Sequence, residues 1–308
     1  MITVLFSANP GLWDDYDGPL QAAISTAGVS AQVVLEAEPG DVDYVVFAPG
    51  GPVTDFAPYV NVKAVLGLWA GVENIVTNTT LTQPLCRMVD PGLAEGMAEW
   101  VTGHILRYHL GLDADVLNTG KWTPRVPPLA RQRTVGILGM GALGSSTAEA
   151  LAHIGFRVKG WARTERPVPG VDMHFGRDGL DRVLELSDFL VLLLPLTTQT
   201  ENLLGHDTLA KVKRGVFILN PGRGPLIDDD ALLQALDDGR VAAATLDVFR
   251  QEPLPLDHPY WAHPRVTVTP HIASATRVET AVDVIAENIR RGEMGEPYLH
   301  LVDRAAGY

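Results

Sequence analysis

Three segments in the second half of the chain carry side chains that can hold a carboxylate and move a proton. FILNPGRGPLID places Arg223 in a glycine-rich turn, LDVFRQEPLP supplies Asp247 and Glu252, and VTVTPHIAS sets His271 directly after Pro270. Each follows an apolar run that reads as a strand, and open α/β sheets bind ligands outside the carboxyl ends of their strands. Transfer of a hydride to a ketone develops negative charge on oxygen, so it needs a positioned proton donor. Histidine is the side chain whose ordinary ionisation range suits that work, which singles out His271. A carboxylate beside it, Glu252, would favour the imidazolium and fix the tautomer. Arg223 offers a fork that matches a planar anion and would polarise the carbonyl. In the reverse direction neutral His271 would accept the hydroxyl proton. Plainer readings exist for each: Arg223 as a helix-capping cation, Glu252 as a turn residue before Pro253, His271 as one of nine histidines with most on the surface. Only the joint pattern points to a reaction centre.

A hydride needs a source, and residues 139–144 read GMGALG. Gly139, Gly141 and Gly144 stand in GxGxxG register after the strand-like TVGIL. A helix-like run opens at Ala142 and Leu143 and reaches His153. That context is the one in which the motif binds a dinucleotide. Gly139 permits the tight turn, Gly141 lets the backbone approach a pyrophosphate, and Gly144 lets helix and strand pack closely. The pyrophosphate would rest on the free N–H groups at the helix start. The plainer reading is a glycine-rich turn without a ligand.

The tip of the next strand selects the cofactor. An acidic residue there would bond the ribose 2′-hydroxyl of NAD. The chain instead reads Trp161-Ala162-Arg163-Thr164-Glu165-Arg166. Arg163 and Arg166, with the Thr164 hydroxyl, suit a 2′-phosphate, which a carboxylate would repel. The expectation is NADP(H) in preference to NAD(H), with NAD(H) possible. Solvated loop arginines are the alternative.

These residues must be carried by alternating strands and helices. Short apolar runs at 2–7, 31–35, 44–48 and 62–68 read as buried strands, with helix-like segments such as 18–27 between them. A long helix-period stretch covers 92–112, and a proline-bearing connector covers 118–133. Six further strands are expected at 134–138, 157–161, 188–194, 215–219, 242–247 and 266–269, then a last helix at 277–291. Alternating β and α units imply parallel sheets with helices on both faces.

The 308 residues suggest two domains. Hydrophobic residues make up 46% and charged residues 20%, enough apolar content to bury large cores. Lys and Arg total 24 against 37 Asp and Glu, a net charge of -13. That balance argues against a nucleic-acid or anionic-membrane surface, though a few converging arginines can still bind a small anion. One cysteine, Cys86, permits no internal disulfide and suits a reducing compartment. No zinc-type spacing, secretory leader or membrane-length apolar run is read, so a cytoplasmic location is expected.

With these motifs in order, the chain resembles the D-isomer-specific 2-hydroxyacid dehydrogenase family over nearly its whole length. GMGALG, LLLPLT, NPGRGPLIDDDALLQAL, LDVFRQEPLP and TPHIAS carry the likeness. The resemblance implies two doubly wound α/β domains, a flavodoxin-like substrate domain (1–92 and 284–308) and a Rossmann cofactor domain (93–283) inserted into it. It implies Arg223, Glu252 and His271 as the catalytic trio and Asp247 at the nicotinamide amide. It further implies cofactor contacts from Leu194, Pro195, Leu196, Pro221, Gly222 and Ala273.

The turn Trp69-Ala70-Gly71-Val72 matches the one whose backbone amides hold the substrate carboxylate. Gly71 allows the close approach. Many relatives carry a small residue in place of Trp69, whose bulk would either narrow the pocket or pack. Phe47 is expected to line that pocket. The runs WARTERPVPG, EPLPLDHPYWAHPRVTVTPHIA and VDRAAGY are similar to those of the family's NADPH-dependent reductases of small 2-keto acids, glyoxylate and hydroxypyruvate among them. A homodimer built on the 92–112 helix is implied as well. The rival readings are an NAD-dependent dehydrogenase of another D-2-hydroxy acid and a non-catalytic nucleotide-sensing protein of the same fold.

Overall fold

The computed structural model describes all residues of the chain except Thr119, Arg166, Ala306 and Tyr308. In chain order the elements begin β1 (Ile2–Ser7), α1 (Trp13–Thr26), β2 (Ala31–Val34), β3 (Tyr44–Phe47) and β4 (Ala64–Gly67). Next come α2 (Glu73–Val76), β5 (Leu85–Cys86), α3 (Pro91–Leu110) and α4 (Leu112–Val116). Then follow β6 (Thr134–Leu138), α5 (Ala142–Ile154), β7 (Arg157–Ala162), β8 (Asp172–Phe175), α6 (Gly176–Leu186) and β9 (Phe189–Leu192). The last are α7 (His206–Leu209), β10 (Val216–Asn220), α8 (Asp229–Asp237), β11 (Val241–Leu246), α9 (Pro259–Ala262), β12 (Val266–Val268) and α10 (Val278–Met294).

The chain divides into two compact units, Met1–Leu93 with Thr276–Tyr308, and Ala94–Ala275. The return to the first unit falls ahead of α10, so that helix belongs whole to the first unit.

The first unit holds a parallel sheet in the order β2-β1-β3-β4-β5. Its strands are short apolar runs because both faces are covered. On one face Leu20 and Ile24 of α1 and Ile285 and Ile289 of α10 pack on Phe6, Tyr44 and Leu66. On the other, Val45 and Val65 meet Phe56 and Leu81. α1 starts at Trp13, earlier than the expected 18, and runs through Pro19. Trp13, Tyr16, Leu20 and Ile24 follow one helical stripe, and burial of that stripe outweighs the lost Pro19 hydrogen bond. The C-terminal residues return to this sheet through an isolated bridge of Leu301 to Cys86.

The second unit holds seven strands, all pairing parallel, in the order β12-β11-β10-β9-β6-β7-β8. Read from the other edge, this is the dinucleotide-binding order 3-2-1-4-5-6 with one strand added. The topology reverses between β6 and β9, at the carboxyl end where ligands bind. Leu190, Leu192 and Ile218 face Leu232 and Leu236 on one side, while Ile137, Val191 and Leu219 face Val101 and Ile105 of α3 on the other. The edge strand β8 was not among the six expected, because DMHF is polar and half-exposed and carries no strand signal. Among the described residues no helix is long and apolar enough to cross a membrane. Nor do any three of their His, Cys, Asp and Glu side chains gather into a set that could hold a metal ion.

Candidate active site

The glycine run does what its sequence requires. Gly139 follows β6 with φ 104°, and a Cβ there would stand 2.3 Å from the Leu193 carbonyl oxygen. A Cβ on Gly144 would lie 1.9 Å from the Gly139 carbonyl oxygen, so helix and strand touch only because no side chain intervenes. Gly141 is the N-cap of α5, and its side-chain position faces open space. No side chain caps this helix, so its first N–H groups remain available to an anion. A pyrophosphate fits this cradle. Ala142 is exposed and Leu143 half-buried beside it.

At the tip of β7, Trp161 is fixed by its indole N–H, which donates to the Gly176 carbonyl at 2.8 Å. Trp161, Leu194 and Leu196 pack on the same core. Pro195 is half-buried between the two leucines. Arg163 and Thr164 are exposed beyond the strand end, and Arg166 lies outside the described residues.

Three turns at the carboxyl ends of β10, β11 and β12 carry the polar set. In the first, Asn220 closes the turn by accepting from the Gly222 N–H at 3.2 Å and donating to the Arg223 carbonyl at 2.9 Å. Pro221 and Gly222 are buried, and a Cβ on Gly222 would stand 2.7 Å from the Leu192 carbonyl oxygen. Arg223 is half-buried, and its Nη1 donates to the Gly222 carbonyl at 2.7 Å. A Cβ on Gly224 would stand 2.1 Å from the Phe249 carbonyl carbon, so this turn is seated on the next one.

That next turn holds Glu252. Its Oε1 accepts from the Phe249 N–H at 2.9 Å, and its Oε2 lies 2.7 Å from His271 Nδ1. The His271 side chain is 52% exposed, so its ring is available to a ligand even with one nitrogen committed. The His271 backbone is left-handed, φ 53°, which is uncommon for a residue with a side chain. Asp247 is fully buried, and its carboxylate accepts from the Thr269 hydroxyl at 2.5 Å, the Ile272 N–H at 2.9 Å and the Ala273 N–H at 2.8 Å. The family resemblance points to Asp247 for the cofactor, whereas nothing in the sequence marks Thr269, Asn220 or the Phe249 amide.

In the first unit, Trp69, Ala70 and Gly71 follow β4 after Leu68. The Leu68 N–H donates to the Phe47 carbonyl at 2.8 Å, and the Met88 N–H donates to the Trp69 carbonyl at 3.0 Å. Trp69 is 46% exposed, so its indole is not packed into the core of its own unit. Phe47 is half-buried, with its ring 5.8 Å from that of Phe56.

The profile described as D-isomer specific 2-hydroxyacid dehydrogenase, NAD binding domain, matches residues 104–273. A glyoxylate/hydroxypyruvate reductase A of Yersinia enterocolitica is 38% identical over 298 residues, 94% of each chain. Among solved structures, a D-isomer specific 2-hydroxyacid dehydrogenase of Xanthobacter autotrophicus Py2, in complex with NADPH and MES, superposes with a TM-score of 0.90. It is 37% identical, with 100% of this chain and 99% of that one covered. An NADPH-dependent glyoxylate/hydroxypyruvate reductase of Sinorhizobium meliloti, in complex with NADP and sulfate, gives a TM-score of 0.86 at 33% identity, with both chains fully covered.

Proposed function

The chain belongs to the D-isomer specific 2-hydroxyacid dehydrogenase family, and from that premise we propose that it reduces glyoxylate, hydroxypyruvate or a related small 2-keto acid to the D-2-hydroxy acid with NADPH. The observation that carries the reading is the 2.7 Å contact of His271 Nδ1 with Glu252 Oε2. It commits one ring nitrogen to a carboxylate and leaves Nε2 to meet a substrate oxygen. In reduction Nε2–H donates its proton to the developing alkoxide, while Glu252 holds the ring in place through Nδ1. In oxidation neutral Nε2 accepts the hydroxyl proton. Arg223 binds the substrate carboxylate and polarises the carbonyl, as its planar fork suits. In the first unit, the family resemblance assigns Trp69, Ala70, Gly71 and Phe47 to substrate binding, the Ala70 and Gly71 amides as donors to a carboxylate.

NADPH, when bound, supplies the hydride. The start of α5 holds its pyrophosphate, with Gly139, Gly141, Ala142, Leu143 and Gly144 as the cradle. Arg163, Thr164 and Arg166 hold the 2′-phosphate. Trp161, Leu194, Pro195 and Leu196 line the adenosine end. Pro221, Gly222, Asp247 and Ala273 line the nicotinamide end. The NADPH and NADP complexes of the Xanthobacter and Sinorhizobium proteins support this assignment. NAD(H) is a weaker alternative cofactor.

The protein works as a cytoplasmic homodimer in this reading. Val116, Leu117, Trp122 and Val126, at the end of α4 and in the segment beyond it, are each more than three-quarters exposed, apolar side chains that a second copy would cover. Turnover of a panel of 2-keto acids with NADPH tests the function, with chiral analysis of the product from hydroxypyruvate. Turnover of glyoxylate or hydroxypyruvate, with the D product from the latter, is expected. Cofactor binding without turnover of any member would overturn the reading in favour of nucleotide sensing.

A further inference from the structure

The left-handed backbone of His271 has to be held against its intrinsic cost, and the structure shows what holds it. The His271 N–H donates to the Asp247 carbonyl at 2.9 Å. The next two N–H groups, of Ile272 and Ala273, donate to the Asp247 carboxylate. Successive amides beside a left-handed residue form a concave anion site, and here its anion is a side chain of the same chain. The carboxylate is wholly buried, so these donors replace water. Thr269 supplies the remaining one, its hydroxyl standing 2.5 Å from Asp247 Oδ1.

The neighbouring threonines show that this orientation is particular. Thr245 and Thr267 pair across β11 and β12, and both are bonded by α3. The Tyr108 hydroxyl lies 2.6 Å from Thr245 Oγ1, and Arg107 Nη1 donates to Thr267 Oγ1 at 3.0 Å. One step further along the same face, Asp247 and Thr269 occupy the next rung, because side chains repeat every two residues. There the hydroxyl serves the carboxylate and the loop beyond it.

We propose that Thr269 is a positioning residue, acting through Asp247 to hold the 271–273 loop in the left-handed form that presents the His271 ring to Glu252. The assignment rests on the proposed role of His271 as proton donor. A valine at 269 keeps the shape and removes only the donor. Asp247 Oδ1 then keeps the Ile272 amide alone, and a weakened anion site holds the loop less firmly.

Thr269→Val and Thr269→Ser test this in the full-length protein. Glyoxylate reduction with NADPH and amide hydrogen exchange at Ile272 and Ala273 are measured on both. Thr269→Val is expected to lower kcat by about ten- to a hundredfold, as loss of a charge-assisted bond implies, with KM for NADPH changed by no more than about threefold. Exchange should quicken at Ile272 and Ala273 while the β10 and β11 amides keep their protection. Serine should restore both readouts. A valine variant with kcat within about twofold of wild type, unchanged exchange at those two amides, or no rescue by serine would overturn the proposal. So would faster exchange throughout the sheet, which marks a general loss of stability. Should the wild-type protein itself fail to turn over, the proposed function fails, and the exchange comparison still decides whether Thr269 holds the loop.

Discussion

His271 Nδ1 and Glu252 Oε2 stand 2.7 Å apart, and the other oxygen of Glu252 is held by the Phe249 amide at 2.9 Å. The carboxylate is therefore oriented before any substrate arrives. Glu252→Gln keeps the size and can keep a hydrogen bond but removes the negative charge beside His271. The proton donor then loses its charged partner, and kcat for reduction should fall by about ten- to a hundredfold. Steady-state kinetics of glyoxylate reduction check this, and a kcat within about twofold of wild type would contradict it.

The two glycines of the turn separate folding from cofactor binding. Gly144→Ala forces a methyl to 1.9 Å from a backbone oxygen, so stability should fall by about 1–3 kcal/mol. Gly141→Ala meets no protein atom within 4 Å. Its Tm should stay near that of wild type while NADPH binding weakens, because the methyl enters the space assigned to the pyrophosphate. Thermal melts with and without NADPH read both effects.

Arg163→Ala removes one of the cations assigned to the 2′-phosphate. KM for NADPH should rise about tenfold and KM for NADH should hardly change, as expected for loss of one charge-assisted contact. Equal effects on the two cofactors would place Arg163 outside that contact.

The parts of the site that were legible in the sequence are those where backbone geometry or chemistry dictates a residue type. Gly139 and Gly144 had to be glycine because another backbone lies within 2.3 Å of any Cβ. The two parallel sheets followed from short apolar runs spaced by amphipathic ones. Thr269 was not legible, because its partner Asp247 is set by the register of two strands and not by spacing along the chain. Asn220 was hidden in the same way, reading as an ordinary strand end until the turn closed on it. β5 and β8 escaped for want of an apolar pattern long enough to count. The helical stripe through Pro19 was masked by a residue that normally breaks helices.

Three histidines bear on stability. Burial pushes His104, His109 and His300 below their ordinary value, aided by Arg107, Arg133 and Arg87 respectively. They fold neutral, so the stability they contribute is present above the unfolded histidine range of about 6.5 and is lost as pH falls toward their folded values. Carboxylates such as Glu287, held down to about 2 by Arg290 and Arg291, lose theirs only at lower pH. Tm should therefore already decline between neutral pH and about pH 5. His109→Leu, at a site walled by Phe156 and Phe189, should reduce that decline. A decline identical to that of wild type would show that His109 does not contribute.

The most direct test of the account is NADPH oxidation by glyoxylate in wild type and His271→Asn, with NADPH affinity measured on both. Asparagine tolerates the left-handed backbone at 271 better than most residues, so the variant removes the acid and spares the loop. Wild-type turnover is predicted, with kcat lower by about a hundredfold or more in the variant and NADPH affinity retained. Turnover by His271→Asn within a few-fold of wild type would contradict the assignment of His271 as proton donor.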